Sequence, residues 1–299
     1  MAVQPGLLKR LFRDRDVGAV YAFAVLWFCV VVLPLLCIIG FSFLQSRGLR
    51  VVFEPTLKAY YTLFVEAGAP VVARTIQVCV TVTLIELLLA FPFALWLAKV
   101  TKNRPLRLTV FLLMLVPFFL SPAARVYVWR SILATEGVIN STLVSMGLID
   151  QPVQWLLFSE FAVHFGLIGQ YFPNMVWPLF LSISLIDDEY LEASQDLGAS
   201  RFQTFWNVIL PLSLPGVVAG FVFTFIPMLG DTVVPVILGG NNVLMLSSLV
   251  TSYISSLNYT AAAAMATFVL FALVALQGMF VLALRPLGGI RQAFASLGR

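Results

Sequence analysis

Long hydrophobic stretches almost free of charged residues divide the chain into segments of transmembrane length. A helix needs about 20 mostly apolar residues to cross about 30 Å of hydrocarbon. Such stretches occur six times, and the only acidic or basic residue inside them is Glu86. They predict spans at about 17–43, 75–98, 108–124, 161–186, 214–230 and 259–284. The sequence therefore predicts an all-α integral membrane protein with six transmembrane helices, forming a single domain over 1–299.

The uncharged run between the fifth and sixth predicted spans contains residues that interrupt helices. These residues are Pro235, Gly239, Gly240, Asn241 and Asn242. We therefore expect a partly re-entrant segment at 232–258 in place of a further span.

Composition supports a membrane protein. Hydrophobic residues make up 61% of the 299 residues and charged residues 11%, whereas a soluble domain carries about 25% charged residues. This excludes an ordinary soluble enzyme, a disordered chain and a nucleic-acid-binding domain. The chain has one histidine, which cannot form a histidine metal site by itself. We therefore expect no catalytic residue, no metal and no cofactor.

The distribution of Lys and Arg predicts the orientation in the membrane. The side that holds both termini and the loops after the second and fourth spans carries twelve basic residues, and the other side carries six. Lys and Arg accumulate on the cytoplasmic side. Both termini are therefore predicted to be cytoplasmic.

The predicted cytoplasmic loop 187–211, which we call the elbow, differs from a short polar loop. Asp187 or Asp188 can cap the start of a helix, and acidic residues suit the positive end of the helix dipole. Gly198 ends this first arm, because glycine tolerates a positive φ.

A second arm of the elbow follows at once. Ser200 and Gln203 have the spacing of a capping box and predict a new helix start. Pro211 is expected to bend the chain before the fifth span. Apolar residues at helical spacing form a stripe on each arm: Tyr190, Ala193 and Leu197 on the first, Phe202, Phe205, Trp206 and Ile209 on the second.

An apolar stripe of this kind can rest on lipid headgroups or lie in a groove of another protein. The first arm carries five acidic residues and no basic residue before Arg201. An acidic helix is repelled by anionic lipid. The charge pattern therefore favours docking on a protein, with the lipid surface as the alternative.

The elbow resembles the EAA loop of ABC-importer permeases, whose pattern is E-A-A, three residues, G, nine residues, then I-x-L-P. Glu192, Ala193, Ser194, Gly198 and the run Val208-Ile209-Leu210-Pro211 have that spacing. Ser194 replaces the second alanine, and Val208 replaces isoleucine. The resemblance implies a coupling helix that sits in a cleft of a cytoplasmic ATPase. The implied contact residues are Glu192, Ala193, Ser194, Gly198, Leu210 and Pro211.

Two further stretches, 117–149 and 230–240, narrow the resemblance to polyamine-type permeases. The matching positions in the first are Pro117, Ser121, Arg125, Tyr127, Trp129, Gly137, Ile139, Asn140 and Gly147. The chain is most similar to the first permease subunit of spermidine/putrescine importers. Related permeases carry ferric ion, thiamine, opines or aminoethylphosphonate, and these solutes stay open as alternatives.

The resemblance also implies partners and a location. These are a cytoplasmic ATPase dimer, a second homologous permease subunit and a periplasmic or extracellular solute-binding protein, at the lipid bilayer of the bacterial inner membrane. The chain lacks a Walker-type G-x-x-x-x-G-K-[ST] motif, so another polypeptide must hydrolyse ATP.

Two acidic residues are candidates for the solute path. Glu86 lies near the middle of the second span, where ionisable residues usually face a cavity or the bundle interior. It can attract an ammonium group, or it can be a protonated or hydrogen-bonded packing residue. Asp231 follows the fifth span and can face the pore mouth or be a solvated loop acid.

Two other classes of function compete with an importer subunit. A stand-alone secondary transporter should carry more intramembrane ionisable groups and inverted repeats, and this chain has essentially one such group, Glu86. An intramembrane enzyme would need an acid–base or metal signature, and the sequence contains neither G-x-S-x-G nor a His/Glu metal motif. We reject the enzyme and keep the transporter as the weaker alternative.

Overall fold

The computed structural model describes residues 14–47, 50–61, 63, 68–240 and 242–284. Within these residues the regular secondary structure is helical apart from one short antiparallel hairpin, β1 (Gln45–Arg47) and β2 (Arg50–Val52), in which Ser46 pairs with Val51. The ends of the chain, 1–13 and 285–299, lie outside the described residues. They carry six of the twelve basic residues used for the orientation, so the cytoplasmic placement of the termini stays a prediction.

The described helices alternate between long runs and short connecting pieces. In chain order they are α1 (Asp14–Trp27), α2 (Leu33–Ser42), α3 (Lys58–Tyr61), α4 (Gly68–Leu95), α5 (Arg104–Phe119), α6 (Pro122–Leu133), α7 (Val138–Ser145), α8 (Glu160–Ser184), α9 (Asp188–Asp196), α10 (Arg201–Thr204), α11 (Leu210–Leu229), α12 (Leu246–Ser255) and α13 (Tyr259–Leu284). Short π-helical turns at Phe28–Val32, Trp96–Val100, Phe205–Ile209 and Pro235–Gly239 extend or link them.

Four helical runs in the described residues are long and apolar enough to cross a membrane: Tyr21–Ser42, Ala69–Val100, Arg201–Leu229 and Tyr259–Met279. A fifth is obtained if α5 and the bent segment Pro122–Ser145 form one span. The remaining predicted span is α8, whose 25 residues extend about 37 Å. Polar residues in the middle of α8 make it less apolar than the other long helices, and it is not among those apolar enough to be counted as a membrane span. The number of six transmembrane helices therefore stays a prediction.

The third predicted span ends earlier than expected. The sequence predicts a helix through 124, but α5 ends at Phe119, and the chain bends by 101° into the next helical segment. Pro122 stands in the first turn of α6. Proline disfavours helical backbone at the residue before it, which accounts for a break at Ser121.

The bend expected at Pro211 does not interrupt the helix. The second arm of the elbow runs from Arg201 through a π-helical turn into α11 as one continuous helix. Pro211 has no N–H for the carbonyl of Asn207, and the wider π turn lies where that hydrogen bond would form. The elbow is therefore joined directly to the fifth predicted span.

The core of the chain lies where α4, α8 and α11 meet. One buried cluster, which we call the upper cluster, includes Val82 of α4, Leu167 of α8 and Phe225 of α11. A second, the lower cluster, includes Ala94 of α4 and Leu179 of α8, and it extends to the elbow. The same three helices therefore connect the middle of the bundle with the elbow.

Glycine allows α8 and α11 to approach closely. A Cβ atom on Gly216 would lie 2.7 Å from the carbonyl oxygen of Pro178, and one on Gly220 would lie 2.8 Å from the Met175 sulfur. Small residues four positions apart are typical of close helix packing in membranes. A larger side chain at either position would force these two helices apart.

The segment 232–258 folds back against the bundle, as far as it is described. Its π turn Pro235–Gly239 contributes Leu238 to the upper cluster. The Ser247 hydroxyl at the start of α12 donates a 2.6 Å hydrogen bond to the carbonyl of Asp231, at the end of α11. The break predicted from its Pro and Gly residues is present, and a re-entrant path stays a prediction.

Candidate functional site

The elbow contains two helical arms that meet at Gly198. The first arm is α9, which has Asp187 at its N-cap position without a side-chain capping bond. Gly198 has a φ of +79°, and its N–H donates to the carbonyl of Gln195 at 2.8 Å. The second arm begins with the predicted capping box, in which the Ser200 and Gln203 side chains accept each other's backbone N–H.

Gly198 is needed for its backbone conformation rather than for its small size. Nothing lies within 4 Å of a Cβ atom placed on it. The left-handed conformation costs an L-residue about 1–2 kcal/mol. The chain therefore reverses here because glycine adopts this φ without strain.

The apolar stripes of the two arms divide into an exposed and a buried set. Leu197 is 88% exposed and Phe202 72% exposed, and Tyr190 and Trp206 are also more than half exposed. Phe205 instead packs edge-on against Phe91 of α4, with ring centroids 5.3 Å apart, and Ile209 is buried. Half of the stripe predicted on the second arm therefore packs against the bundle, and half is exposed.

A hydrogen bond joins the two arms. The hydroxyls of Ser194 and Thr204 lie 3.0 Å apart, and Thr204 is 4% exposed. Thr204 has no counterpart in the sequence pattern, because a threonine one turn into a helix carries no motif. This bond fixes the angle between the arms.

The predicted contact residues fall into two groups. Glu192, Ala193 and Gly198 are exposed on the first arm and its turn, whereas Ser194 is half-buried between the arms. Leu210 and Pro211 are half-buried at the start of α11. The residues of the first group are thus exposed on the elbow, whereas Leu210 and Pro211 are partly exposed in the helical run that follows it.

A lysine at the end of the second predicted span holds the start of the elbow. The Lys99 ammonium donates to the carbonyl of Ile186 and lies 2.6 Å from Asp188 Oδ1. Its side chain is 13% exposed. In the sequence Lys99 counts only as one of the charges that set the orientation, since nothing in its neighbourhood indicates a partner 89 residues away.

Arg107 makes a similar connection one helix later. Its Nη2 donates to the Ser184 hydroxyl at 3.4 Å, and its guanidinium lies 5.1 Å from the centre of the Phe180 ring. Two basic residues of the 99–107 loop therefore contact the end of α8, immediately before the elbow.

Glu86 is completely buried. It lies on α4 between Val82 of the upper cluster and Ala90 of the lower cluster, and its exposed fraction is 0%. Neither carboxylate oxygen has a hydrogen-bond partner among the described residues. The sequence alternative in which Glu86 is hydrogen-bonded between helices is therefore absent from this arrangement.

Asp231 is a buried hydrogen-bond acceptor, so its interpretation as a solvated loop acid is wrong. Its Oδ2 accepts from Gln170 at 2.8 Å and from the Tyr171 hydroxyl at 2.9 Å. Its Oδ1 accepts from the backbone N–H groups of Val233 and Val234 at 2.7 and 3.2 Å. The carboxylate joins α8 to the turn that follows α11.

A small polar cavity of about 120 Å³ lies beside this network. Gln170 is 6% exposed, and its Oε1 has no partner among the described residues. Arg125 Nη1 donates to the Gln170 carbonyl at 3.2 Å. The cavity shares Phe118 and Asn174 with a larger groove of about 530 Å³, lined also by Trp177, Ser182 and Phe223.

Asn140, in the 117–149 stretch, has a structural role. Its amide donates to the carbonyls of Ala134 and Val153, each at 3.2 Å, and its Oδ1 accepts from the Val153 N–H at 2.8 Å. Gly137 allows the turn before it, because a Cβ atom there would lie 2.5 Å from the Ser131 carbonyl oxygen. These motif positions fix the path of the chain between α6 and α8.

The described residues thus form a bundle of apolar helices joined to an elbow with exposed apolar side chains. The family "Binding-protein-dependent transport system inner membrane component" matches residues 80–286. The chain belongs to this family of multi-pass inner-membrane permeases, and it is a transport component rather than an enzyme.

Curated relatives narrow the assignment. The chain is 33% identical over 248 residues to the spermidine/putrescine transport system permease protein PotB of Haemophilus influenzae. The aligned region covers 82% of this chain and 84% of that protein. It is 38% identical over 224 residues to PotB of Escherichia coli, and this region covers 74% of this chain and 79% of that protein. The chain is therefore homologous to the PotB permease subunits of spermidine/putrescine importers.

Solved structures share the fold. A bacterial ABC transporter that imports the acidic polysaccharide alginate superposes with a TM-score of 0.72 at 18% identity, over 94% of this chain and 99% of its own. A bacterial alginate transporter in complex with an alginate pentasaccharide-bound periplasmic protein superposes with a TM-score of 0.73 at 18% identity. The match covers 91% of this chain and 95% of that chain. At this identity the match concerns the fold alone.

Proposed function

We propose that this chain forms half of the translocation path of an ABC importer for a polyamine such as spermidine or putrescine. The observation that carries the proposal is the homology to PotB proteins, named for spermidine and putrescine, over most of both chains. Six spans, with both termini in the cytoplasm, complete the proposed topology.

The proposed partners follow from the architecture. The other half of the path is a homologous permease, and a periplasmic binding protein delivers the solute, as in the complex of the alginate importer with its periplasmic protein. ATP is hydrolysed by a separate cytoplasmic ATPase dimer. Transport proceeds by alternating access, and the elbow passes the movement of the ATPase to the membrane helices.

The elbow is the proposed ATPase contact. Leu197 and Phe202 are exposed apolar side chains that a groove of the ATPase would cover, and Glu192 supplies an exposed carboxylate on the first arm. Ala193 is small, so an ATPase surface can approach the first arm closely. Ser194, Leu210 and Pro211 support this surface from behind.

The two acids have different proposed roles in the path. Glu86 is the path acid that becomes accessible to an ammonium group when the helices around it separate. Asp231 holds Gln170 and Tyr171 in place at the edge of the path. The large groove, which shares Asn174 with the cavity lined by Gln170 and Tyr171, adds Trp177 and Phe223 as aromatic surfaces that can face a cation.

The solute proposal is tested with the cognate binding protein and the reconstituted importer. We expect the binding protein to bind spermidine or putrescine and the importer to take up the same compound into vesicles in an ATP-dependent manner. A binding protein that binds only anions would contradict the polyamine assignment. Binding of thiamine, an opine, aminoethylphosphonate or ferric ion alone would select that solute instead.

A further inference from the structure

We propose that Lys99 is the positioning residue that makes α4 move with the elbow, so that the ATPase movement reaches the middle of the membrane through this helix. The inference rests on the proposed function as an ATPase-driven permease. It concerns a residue that neither the elbow motif nor the path acids include.

The ammonium of Lys99 binds the junction between α8 and the elbow at two points. One is the carbonyl of Ile186, two residues beyond the end of α8, and the other is Asp188, the first residue of α9. A protonated amine at the C-terminal end of a helix is also favoured by the helix dipole. Lys99 thus bonds the residues about which the elbow would hinge.

The two contacts differ in strength because they differ in exposure. Asp188 is 74% exposed, and an ion pair with an exposed carboxylate contributes little. Ile186 is 6% exposed, and a charged hydrogen bond to a buried carbonyl is stronger and costly to lose. The carbonyl contact therefore carries most of the attachment.

A second contact on α4 makes the attachment rigid. Phe91, two helical turns before Lys99, packs against Phe205 on the other arm of the elbow. One contact alone would leave a pivot, whereas contacts to both arms fix the elbow to α4. Glu86 lies on the same helix, so a displacement of the elbow would shift the buried acid of the proposed path.

The test compares wild type, Lys99→Met and Lys99→Arg in the complete importer, assembled with its ATPase, second permease and binding protein. Methionine keeps the apolar stem of lysine and removes only the ammonium. Lys102→Met is the matched control, because Lys102 is an exposed lysine three residues away. The measurements are ATPase retained on purification, and solute taken up per ATP hydrolysed.

We expect Lys99→Met to retain the ATPase and to hydrolyse ATP, while uptake per ATP falls about tenfold, the change expected from losing one charged hydrogen bond. Lys99→Arg should keep most of the wild-type uptake per ATP, because arginine also supplies a cationic donor. Lys102→Met should stay within about twofold of wild type.

An unchanged uptake ratio in Lys99→Met would overturn the inference. Loss of the ATPase from Lys99→Met would also overturn it, because Lys99 would then support docking rather than transmission. If Lys99→Met does not insert into the membrane as a folded permease, Lys99→Arg decides: wild-type uptake per ATP supports a cationic tether, and reduced uptake per ATP contradicts it. Failure of the proposed function is seen separately, as a wild-type complex without ATP-dependent uptake.

Discussion

Gly198 offers a graded test of the elbow, because the structure separates backbone strain from steric contact. Its φ is +79°, and a Cβ atom would meet nothing within 4 Å. Alanine should therefore cost about 1–2 kcal/mol from the left-handed backbone alone. Asparagine adopts this left-handed backbone conformation more readily than alanine, and the β-branched valine adopts it less readily.

This cost should appear as a change in the elbow rather than as global unfolding. A strain of 1–2 kcal/mol shifts a local equilibrium about 5- to 30-fold. In most molecules the turn at position 198 should then leave the left-handed conformation, and the angle between the two arms should change. We expect Gly198→Asn to retain most of the ATPase, Gly198→Ala less and Gly198→Val the least, with membrane insertion unchanged.

The assay is co-purification of the ATPase with each variant, together with uptake into vesicles. Size-exclusion profiles in detergent serve as the control for folding. Normal uptake by Gly198→Val would refute the reasoning that the turn is needed. If Gly198→Asn were as damaging as Gly198→Val, steric contact with the partner would be the cause and the strain argument would be wrong.

Three further substitutions test other parts of the account. Ala193→Trp should act as a wedge on the exposed first arm and abolish retention of the ATPase in co-purification, and retention at the wild-type level would contradict an ATPase contact there. Asp231→Ala leaves four donors without their acceptor and should lower the free energy of unfolding by about 3–5 kcal/mol, whereas Asp231→Asn should cost less in thermal unfolding assays. Glu86→Gln should reduce uptake at limiting solute without loss of assembly, and unchanged uptake would make Glu86 a packing residue.

The sequence predicts the helical class and the elbow because both depend on local patterns. The apolar runs predict helices close to the observed bounds of α8 (Glu160–Ser184) and α13 (Tyr259–Leu284), whereas α4 begins seven residues before the predicted 75. The spacing of Ser200 and Gln203 predicts the start of the second arm. The continuation of the helix through Pro211 could not be predicted, because a π-helical turn can accommodate a proline that would stop an α-helix.

The contacts that organise the site join residues far apart in the chain, and no local pattern reveals them. Lys99 binds residues 87 and 89 positions away, and Asp231 binds side chains 60 and 61 positions away. In the sequence Lys99 resembles any other basic loop residue, and Asp231 resembles an exposed acid after a helix. Only the packing of α4, α8 and α11 brings Lys99 to the start of the elbow and makes Asp231 a buried hydrogen-bond acceptor.

The central claim, that the elbow is where this chain meets its ATPase, is tested most directly by site-specific photo-crosslinking in the assembled importer. Leu197 is 88% exposed on the elbow, and Trp155 is 61% exposed near the opposite end of α8. A photoreactive amino acid at 197 should give a covalent adduct with the ATPase subunit, and the same group at 155 should give none. An assembled complex in which position 197 gives no ATPase adduct, or no more than position 155, would contradict the account.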